Sequence, residues 1–257
     1  MYFGVSLFLL YLLEGKQIFM NYGCLLAGGI GKRMNSKVPK QFIELKGTPV
    51  IIYTLKQLLK CSRLDKVIIA IHKEWKSYLE DLIFKFIPKE KQNAIEIVFG
   101  GEERIDSIDN VIEYISSKYG INNDDNIVFH DAVRPFVTQS ILEMSISALQ
   151  QHSAVVAAIP VVDTMLFSPD GFKIESMPDR KAIFHGQAPD SFKLNVFKKA
   201  LKTLTKEEKM EVTGTAQICF VKGIDVFMVP GDSSNFKITT RQDLDYANYY
   251  LDKINFE

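Results

Sequence analysis

Short runs rich in Val and Ile recur along the chain, at Tyr22–Leu26, Val67–Ile71, Ile95–Phe99, Ile127–His130 and Ala154–Ile159, and amphipathic stretches separate them. Apolar runs of five or six residues read as strands, and apolar positions spaced three and four apart read as helices. That spacing predicts helices over Pro49–Lys60, Glu74–Phe86, Arg104–Ser117 and Thr138–Gln151. Such alternation implies right-handed crossovers and an α/β fold, a doubly wound and mostly parallel sheet covered on both faces. Ligands on sheets of this kind sit beyond the carboxyl ends of the strands, so the residues following each strand carry the most information.

After Pro160 the rhythm changes. Thr164–Phe167 and Phe172–Glu175 flank Ser168-Pro169-Asp170-Gly171, and a Pro followed by Asp-Gly reads as a hairpin turn, so a β-arm is expected over about 161–186. Helices are expected at Lys193–Thr203 and Lys206–Val221, then a strand at Asp225–Val229, a Gly-containing turn, a strand at Asn235–Ile238 and a closing helix from Thr240. There is no repeat or low-complexity tract, so residues 20–257 read as a single domain with a projecting arm. Residues 1–19 read as a leader-like extension: Val5–Leu13 is apolar but too short to span a bilayer and lacks a basic flank or cleavage site.

Charge narrows the function classes. Lys plus Arg equals Asp plus Glu at 31 each in 257 residues, so no global field favours nucleic acid or an anionic membrane, and any basic site must be local. Lys-rich stretches such as Lys193–Lys202 read as solvated helix faces. Cys24, Cys61 and Cys219 are odd in number, far apart and set among apolar residues, which points to buried thiols in a reducing, cytoplasmic compartment and argues against zinc.

The candidate chemistry lies at strand ends. The first strand runs into Ala27-Gly28-Gly29-Ile30-Gly31-Lys32-Arg33-Met34, followed by Pro39-Lys40-Gln41. Glycines let several N–H groups turn toward one anion, and Lys32, Arg33 and Lys40 add positive charge, a cradle suited to a triphosphate. The spacing departs from the P-loop, and it departs from the dinucleotide fingerprint, whose third Gly would fall at Met34. The fourth strand delivers His130-Asp131-Ala132-Val133-Arg134-Pro135. Asp131 can hold a magnesium ion that bridges phosphates, or it can pair with Arg134 to pin the loop; His130 reads as structural.

Together these motifs, with Gly-Gly-Glu-Glu-Arg and Asp106-Ser107, Asp163-Thr164, and Asn235-Phe236-Lys237-Ile238-Thr239, resemble the cytidylyltransferase family over about residues 21 to 252. The resemblance implies a Rossmann-like nucleotidyltransferase fold, CTP as co-substrate, Mg2+ and a homodimer made through the arm. It further implies that Arg33, Lys40 and Lys237 are catalytic, with Arg33 and Lys40 stabilising charge on the α-phosphate and pyrophosphate. Leu26, Ala27, Gly28, Gly29, Gly31, Gly101, Glu102, Ser107, Asp131 and Ala132 would hold the nucleotide, with Asp131 also the metal ligand. Arg134, Thr164, Arg180 and Thr213 would bind the acceptor, Arg180 and Thr213 doing so across a dimer.

Two kinds of member compete for the acceptor. Tyr119–Asp125, Met177–Arg180, Gly186–Phe192 and Leu204–Lys209 look closer to the ribitol-5-phosphate enzymes of teichoic acid or capsule synthesis, as does Ser234, where the isoprenoid enzymes carry a second metal-binding Asp. Asp106-Ser107 instead matches the 2-C-methyl-D-erythritol 4-phosphate enzymes of isoprenoid synthesis. The weighing favours ribitol 5-phosphate, with the methylerythritol phosphate or another alditol phosphate as alternatives and a reductase that makes the alditol phosphate as a pathway partner. Thr213-Gly214-Thr215 places glycine where the family opens a helix with a carboxylate, which bears on the acceptor. A silent nucleotide-binding scaffold is the alternative outside catalysis, opposed by the intact Arg33, Lys40, Asp131 and Lys237. An NAD-dependent oxidoreductase is excluded by the glycine spacing and by Ile71-His72-Lys73, where an acidic residue would end the second strand.

Overall fold

The computed structural model describes residues 19–29, 38–254 and 256. The first eighteen residues, and with them almost all of the leader-like extension, lie outside the described residues, as do Gly31, Lys32 and Arg33.

Among the described residues, strands β1 (Asn21–Leu26), β2 (Lys66–Ile71), β3 (Ile95–Phe99), β4 (Asn126–Asp131), β5 (Ala154–Pro160), β6 (Phe184–Lys193) and β7 (Phe227–Pro230) form one sheet in the order β3-β2-β1-β4-β6-β5-β7. Every pairing is parallel except those of β6, which runs antiparallel to β4 and β5. Helices α1 (Val50–Lys60), α2 (Lys76–Phe86), α3 (Arg104–Lys118), α4 (Gln139–Ala148), α5 (Leu194–Lys202), α6 (Lys206–Glu211), α7 (Thr215–Val221) and α8 (Arg241–Leu251) surround it.

Alternation along the strands sorts the core into two layers. Leu25, Val67, Ile69 and Val128 face α1, α2 and α4, packing on Ile51, Leu55, Leu79 and Leu142. Their neighbours Cys24, Ile68 and Phe129 point the other way, onto Ile108 and Val111 of α3, Phe197 of α5 and Ile218 of α7. A third cluster of Val133, Phe136, Ile238 and Leu244 seats α8 beneath the β4 loop. All three cysteines are free and buried, as expected.

The parallel half follows the predicted pattern to within a residue or three at each element end. The second half departs from it in four places. The ten-residue β6 was not expected: Pro189 and the polar run from Gln187 to Ser191 disfavour a central strand, yet a register shift opposite Val156 and Ala157 bulges Ala188 and Pro189 out and lets pairing continue on both sides. The arm is no ladder. Residues 161–183 are joined by one bridge, Phe167 to Ser176, around a turn in which Asp170 Oδ1 accepts from Phe172 N and Lys173 N at 2.9 Å each. The helix expected over Lys206–Val221 breaks at Val212–Gly214, both ends of which are extended, so α6 and α7 are separate. Asn235–Ile238 is a loop, not a strand: Asn235 is fully buried, donating to Ala188 O at 2.6 Å, while Ile238 N bonds Val133 O at 2.9 Å.

Candidate active site

The order β2-β1-β4 reverses direction of chain winding between β1 and β4, and the site opens above their carboxyl ends. On the β1 side the walls are largely main chain. Ala27 N bonds Ala70 O at 2.9 Å, and Gln41 reaches from its short helical turn to donate to Ala27 O at 2.6 Å, so the chain leaves β1 at a fixed angle. Opposite, the turn before α3 requires glycine: a Cβ on Gly101 would lie 2.1 Å from Asp106 Cβ. Ser107 Oγ accepts from Gly101 N at 3.0 Å, and Asp106 closes a capping box with Glu103. Asp106 therefore builds the turn, and Ser107 holds it against the cavity.

A cavity of about 610 Å³ lies between these walls. Leu26, Ala27, Gly28, Gly29, Lys40, Gly101, Glu102, Ser107, Asp131, Ala132 and Lys237 all line it, so the residues expected to hold the nucleotide come together wherever they are described. Gly31 and Arg33 lie outside the described residues. Gln41, His72 and Arg104 line it as well and were not expected there. Gly-Gly-Glu-Glu-Arg contained the signal for Arg104, because an Arg at the first position of a helix that begins at a strand end points back over that end.

Asp131 marks the wall between this cavity and a second one of about 310 Å³. Its carboxylate receives Arg134 Nε at 3.1 Å, Lys237 Nζ at 3.1 Å and, more distantly, Arg104 Nη1 at 3.4 Å. Burial opposes its ionisation, but Lys237, Arg104 and Arg134 outweigh that and hold the carboxyl well below the usual carboxylate range. Arg104 also donates to the buried Thr215 hydroxyl at 3.0 Å, and Arg134 to Asn235 O at 2.8 Å. The Asp131–Arg134 pair exists, so pinning the loop and facing the site are both true of Asp131. His130 is structural: its Nε2 meets Arg134 O at 3.1 Å, and burial pushes its pKa down to about 4, which keeps the ring neutral.

The second cavity gathers Arg134 and Thr213, both expected as acceptor residues, Thr213 lining it within its own chain although it was expected to act across a dimer; Gly214, expected to bear on the acceptor, lines it too, as do Gln187 and Asp190, which had no assigned role. Thr164 and Arg180 line neither cavity of their own chain. Both sit on the arm, where Arg180 donates to Val162 O at 2.9 Å. Thr213 does not cap α7; Gly214 is the capping residue and makes no side-chain bond, while Gln217 accepts from Thr213 N at 2.9 Å.

Residues 23–253 match the family model described as IspD, 2-C-methyl-D-erythritol 4-phosphate cytidylyltransferase. The chain belongs to this family. Among solved structures, the 4-diphosphocytidyl-2C-methyl-D-erythritol synthase of Anaerococcus prevotii is 25% identical with a TM-score of 0.73, over 91% of this chain and 96% of that one. The 2-C-methyl-D-erythritol 4-phosphate cytidylyltransferase of Francisella tularensis is 25% identical with a TM-score of 0.74, over 90% of this chain and all of the other. The Thermus thermophilus protein of the same name, at 24% identity and a TM-score of 0.69 over 90% of this chain and 98% of that one, shares the fold. The chain is thus a CTP-dependent cytidylyltransferase of IspD type. These comparisons stand on the methylerythritol side, and none supports the lean toward ribitol phosphate drawn from residues 119–125, 177–180, 186–192 and 204–209.

Enzymes of the IspD family typically work with a divalent cation. Among the described residues no cluster of three or more His, Cys, Asp or Glu side chains could hold one alone. The donor set still fits a magnesium ion delivered with the triphosphate, which characteristically takes one or two carboxylates and completes its shell with phosphate oxygens and water. Among the described residues Asp131 Oδ1 carries the 3.4 Å Arg104 contact alone, whereas Oδ2 takes both Arg134 and Lys237, so Oδ1 is the oxygen with more capacity for it.

Proposed function

We propose that the enzyme transfers CMP from CTP to 2-C-methyl-D-erythritol 4-phosphate and releases pyrophosphate. The observation that carries this reading is a family match spanning both cavities and every described motif, residues 23–253, together with a shared wall of Arg104, Asp131 and Lys237 between the two pockets. CTP occupies the larger cavity, its cytidine held by the Leu26–Gly29 and Gly101–Ser107 turns and its phosphates by Lys40, Lys237 and, from the glycine-rich segment, Gly31 and Arg33. The acceptor phosphate enters from the smaller cavity, guided by Arg134 and Lys237.

An oxygen of the acceptor phosphate attacks the α-phosphorus of CTP while the bond from that phosphorus to the bridging oxygen breaks, and pyrophosphate leaves in line. A phosphate monoester is already ionised near neutrality, so no protein base is needed, and positioning with charge neutralisation does the work. A magnesium ion at Asp131 would neutralise phosphate charge. Asp131 in turn orients Arg104, Arg134 and Lys237, holding the cations where negative charge grows.

The arm supports a homodimer, in which Arg180 would serve the partner's acceptor as the resemblance implies, and Thr164, on the same arm and lining neither cavity of its own chain, would join it in place of Thr213, which lines the cavity of its own chain. Val162, Phe172 and Met177 on it are 76%, 96% and 64% exposed, an apolar surface that a second copy would cover. No helix among the described residues is long and apolar enough to cross a membrane. The three free, buried cysteines support the cytoplasmic setting inferred from the sequence.

The test is pyrophosphate release with CTP and magnesium across methylerythritol 4-phosphate, ribitol 5-phosphate and other alditol phosphates at equal concentration. Preferential turnover of methylerythritol 4-phosphate is expected. A preference for ribitol 5-phosphate would restore the polyol reading, and absence of turnover with any of them would favour the silent scaffold.

A further inference from the structure

Asp190 is a carboxylate that the transfer chemistry does not use, placed at the floor of the second cavity. Three paired residues form a row across adjacent strands there: Phe129 on β4 faces Asp190 on β6, and Asp190 faces Val156 on β5. Paired positions on neighbouring strands share a face, and all three line the cavity. Gln187 lies three residues before Asp190, so regular pleating would send the two side chains to opposite faces. The bulge at Ala188–Pro189 removes that alternation, and both residues line the same cavity, Gln187 with its amide bonded to the Asp232 main chain.

The surroundings of Asp190 are one-sided. The Thr215 hydroxyl and the Ala216 amide are directed at it from the start of α7, and Arg104 stands beside Thr215 at 3.0 Å. Toward the cavity no protein donor is bonded to it among the described residues. Opposite, Gly214 contributes no side chain, and a Cβ built there would meet nothing within 4 Å. Arg134 and Lys237 lie at the Asp131 end of the same space. The cavity is therefore graded: Arg134 and Lys237 at the end shared with the nucleotide, Arg104 reaching along one wall from Asp131 to Thr215, and the Asp190 carboxyl at the far end with open space beside it.

An acceptor phosphate belongs at the cationic end, where it must meet the α-phosphorus, and a carboxylate repels it from the other. We propose that Asp190 selects the acceptor by accepting hydrogen bonds from hydroxyl groups on its phosphate-free end, while Gly214 leaves room for a branch on that chain. The ligand class is a short polyhydric alcohol monophosphate. This rests on the transfer reaction proposed above and adds the determinant of specificity. A site built to receive a hydroxyl rejects the analogue lacking it strongly, because its own polar group is left unpaired in a partly desolvated place. Burial pushes the Asp190 pKa up to about 6, with Arg104 opposing the rise and Asp131 adding to it; once ionised, the carboxylate acts as acceptor only.

The experiment compares the wild type, Asp190→Asn and Gly214→Val for kcat and KM with the preferred acceptor and with its analogue lacking the terminal hydroxyl, beside CTP affinity by calorimetry. The wild type should discriminate against the deoxy analogue by about 10²-fold in kcat/KM, Asp190→Asn should shrink that ratio to about tenfold or less by raising KM for the hydroxylated acceptor, and CTP affinity should hold within about twofold. Gly214→Val should raise the acceptor KM without altering CTP affinity. Unchanged discrimination in Asp190→Asn, with CTP still bound normally, would overturn the proposal. Failure of the wild type to turn over any acceptor would instead strike the transfer reading, which keeps the two failures apart. Loss of CTP binding in Asp190→Asn would also refute the proposal, since it would place Asp190 in the nucleotide site or in the fold.

Discussion

On the β1 side of the Asp131 wall, the cavity is shaped by main chain, at Gly28, Gly29 and the Gly100–Gly101 turn, where an added Cβ on Gly101 would fall 2.1 Å from Asp106. On the β6 side it is lined by residues with polar side chains, Gln187, Asp190 and Thr213, and Gly214 there stands in open space. The first wall suits a ligand that never changes, because backbone amides fit phosphate and base whatever the neighbouring residues are. The second can be retuned one side chain at a time. Arg104, Asp131 and Lys237 belong to both, so the chemistry occurs where the fixed half meets the adjustable one.

The sharpest challenge to this division is Lys40→Ala, which removes a charge from the fixed half alone. Turnover should fall about 10²–10³-fold with every acceptor alike, as for loss of one preorganised charge-stabilising donor, and acceptor-dependent losses would contradict the division. Arg104→Ala removes a strut from the shared wall. Steady-state kinetics should show KM for CTP and for the acceptor both rising about tenfold, in keeping with a lost charged hydrogen bond of about 1.5–3 kcal/mol, whereas a change in only one would assign Arg104 to a single half.

A smaller effect separates the two glycines. Gly101→Ala overpacks the α3 turn and should cost about 1–3 kcal/mol in chemical denaturation along with CTP affinity, while Gly214→Ala should stay within about 1 kcal/mol. The smallest effect is a gain. Folding raises the Asp190 pKa to about 6, so between roughly pH 4 and 6 the folded state holds more protons than the unfolded one, and the stability present below pH 4 is lost as pH rises through 6. Asp190→Asn should therefore raise the Tm of the metal-free protein at pH 7.5 by about 2–4 °C, with the difference vanishing near pH 4. A lower Tm at pH 7.5 would mean that Asp190 is held for the fold and not for a ligand.

The same division governs what the chain reveals before it is folded. Strands β1, β2 and β4 are buried on both faces, so their apolar, largely Val- and Ile-rich runs stand out, and the nucleotide residues follow directly from the strand ends. Strand β6 pairs on both sides but carries Gln, Pro, Asp and Ser, and its continuity depends on a bulge that only its partner β5 defines. With β6 unread, Gln187 and Asp190 had no address, and the cavity they line had no floor. Lys237 stands out by its motif although its segment reads as a strand; the buried Asn235, bonded to Ala188 O, holds that loop in place, a contact 47 residues distant in sequence. Arg104 stands in a recognisable motif, but its role comes from Thr215, on a helix whose start is hidden inside a longer predicted one.

The strand that carries Asp190 begins in the arm. From Phe184 to Gln187 the chain is extended and paired with β5, a span of about 10 Å, and pairing resumes at Asp190 after the bulge. Whatever grips the arm therefore pulls on a strand that leads into the acceptor floor, while the glycine turns of the nucleotide cavity are attached to different strands. Dilution that separates two gripped copies would be felt as a loss of acceptor saturation, with CTP binding left as it was.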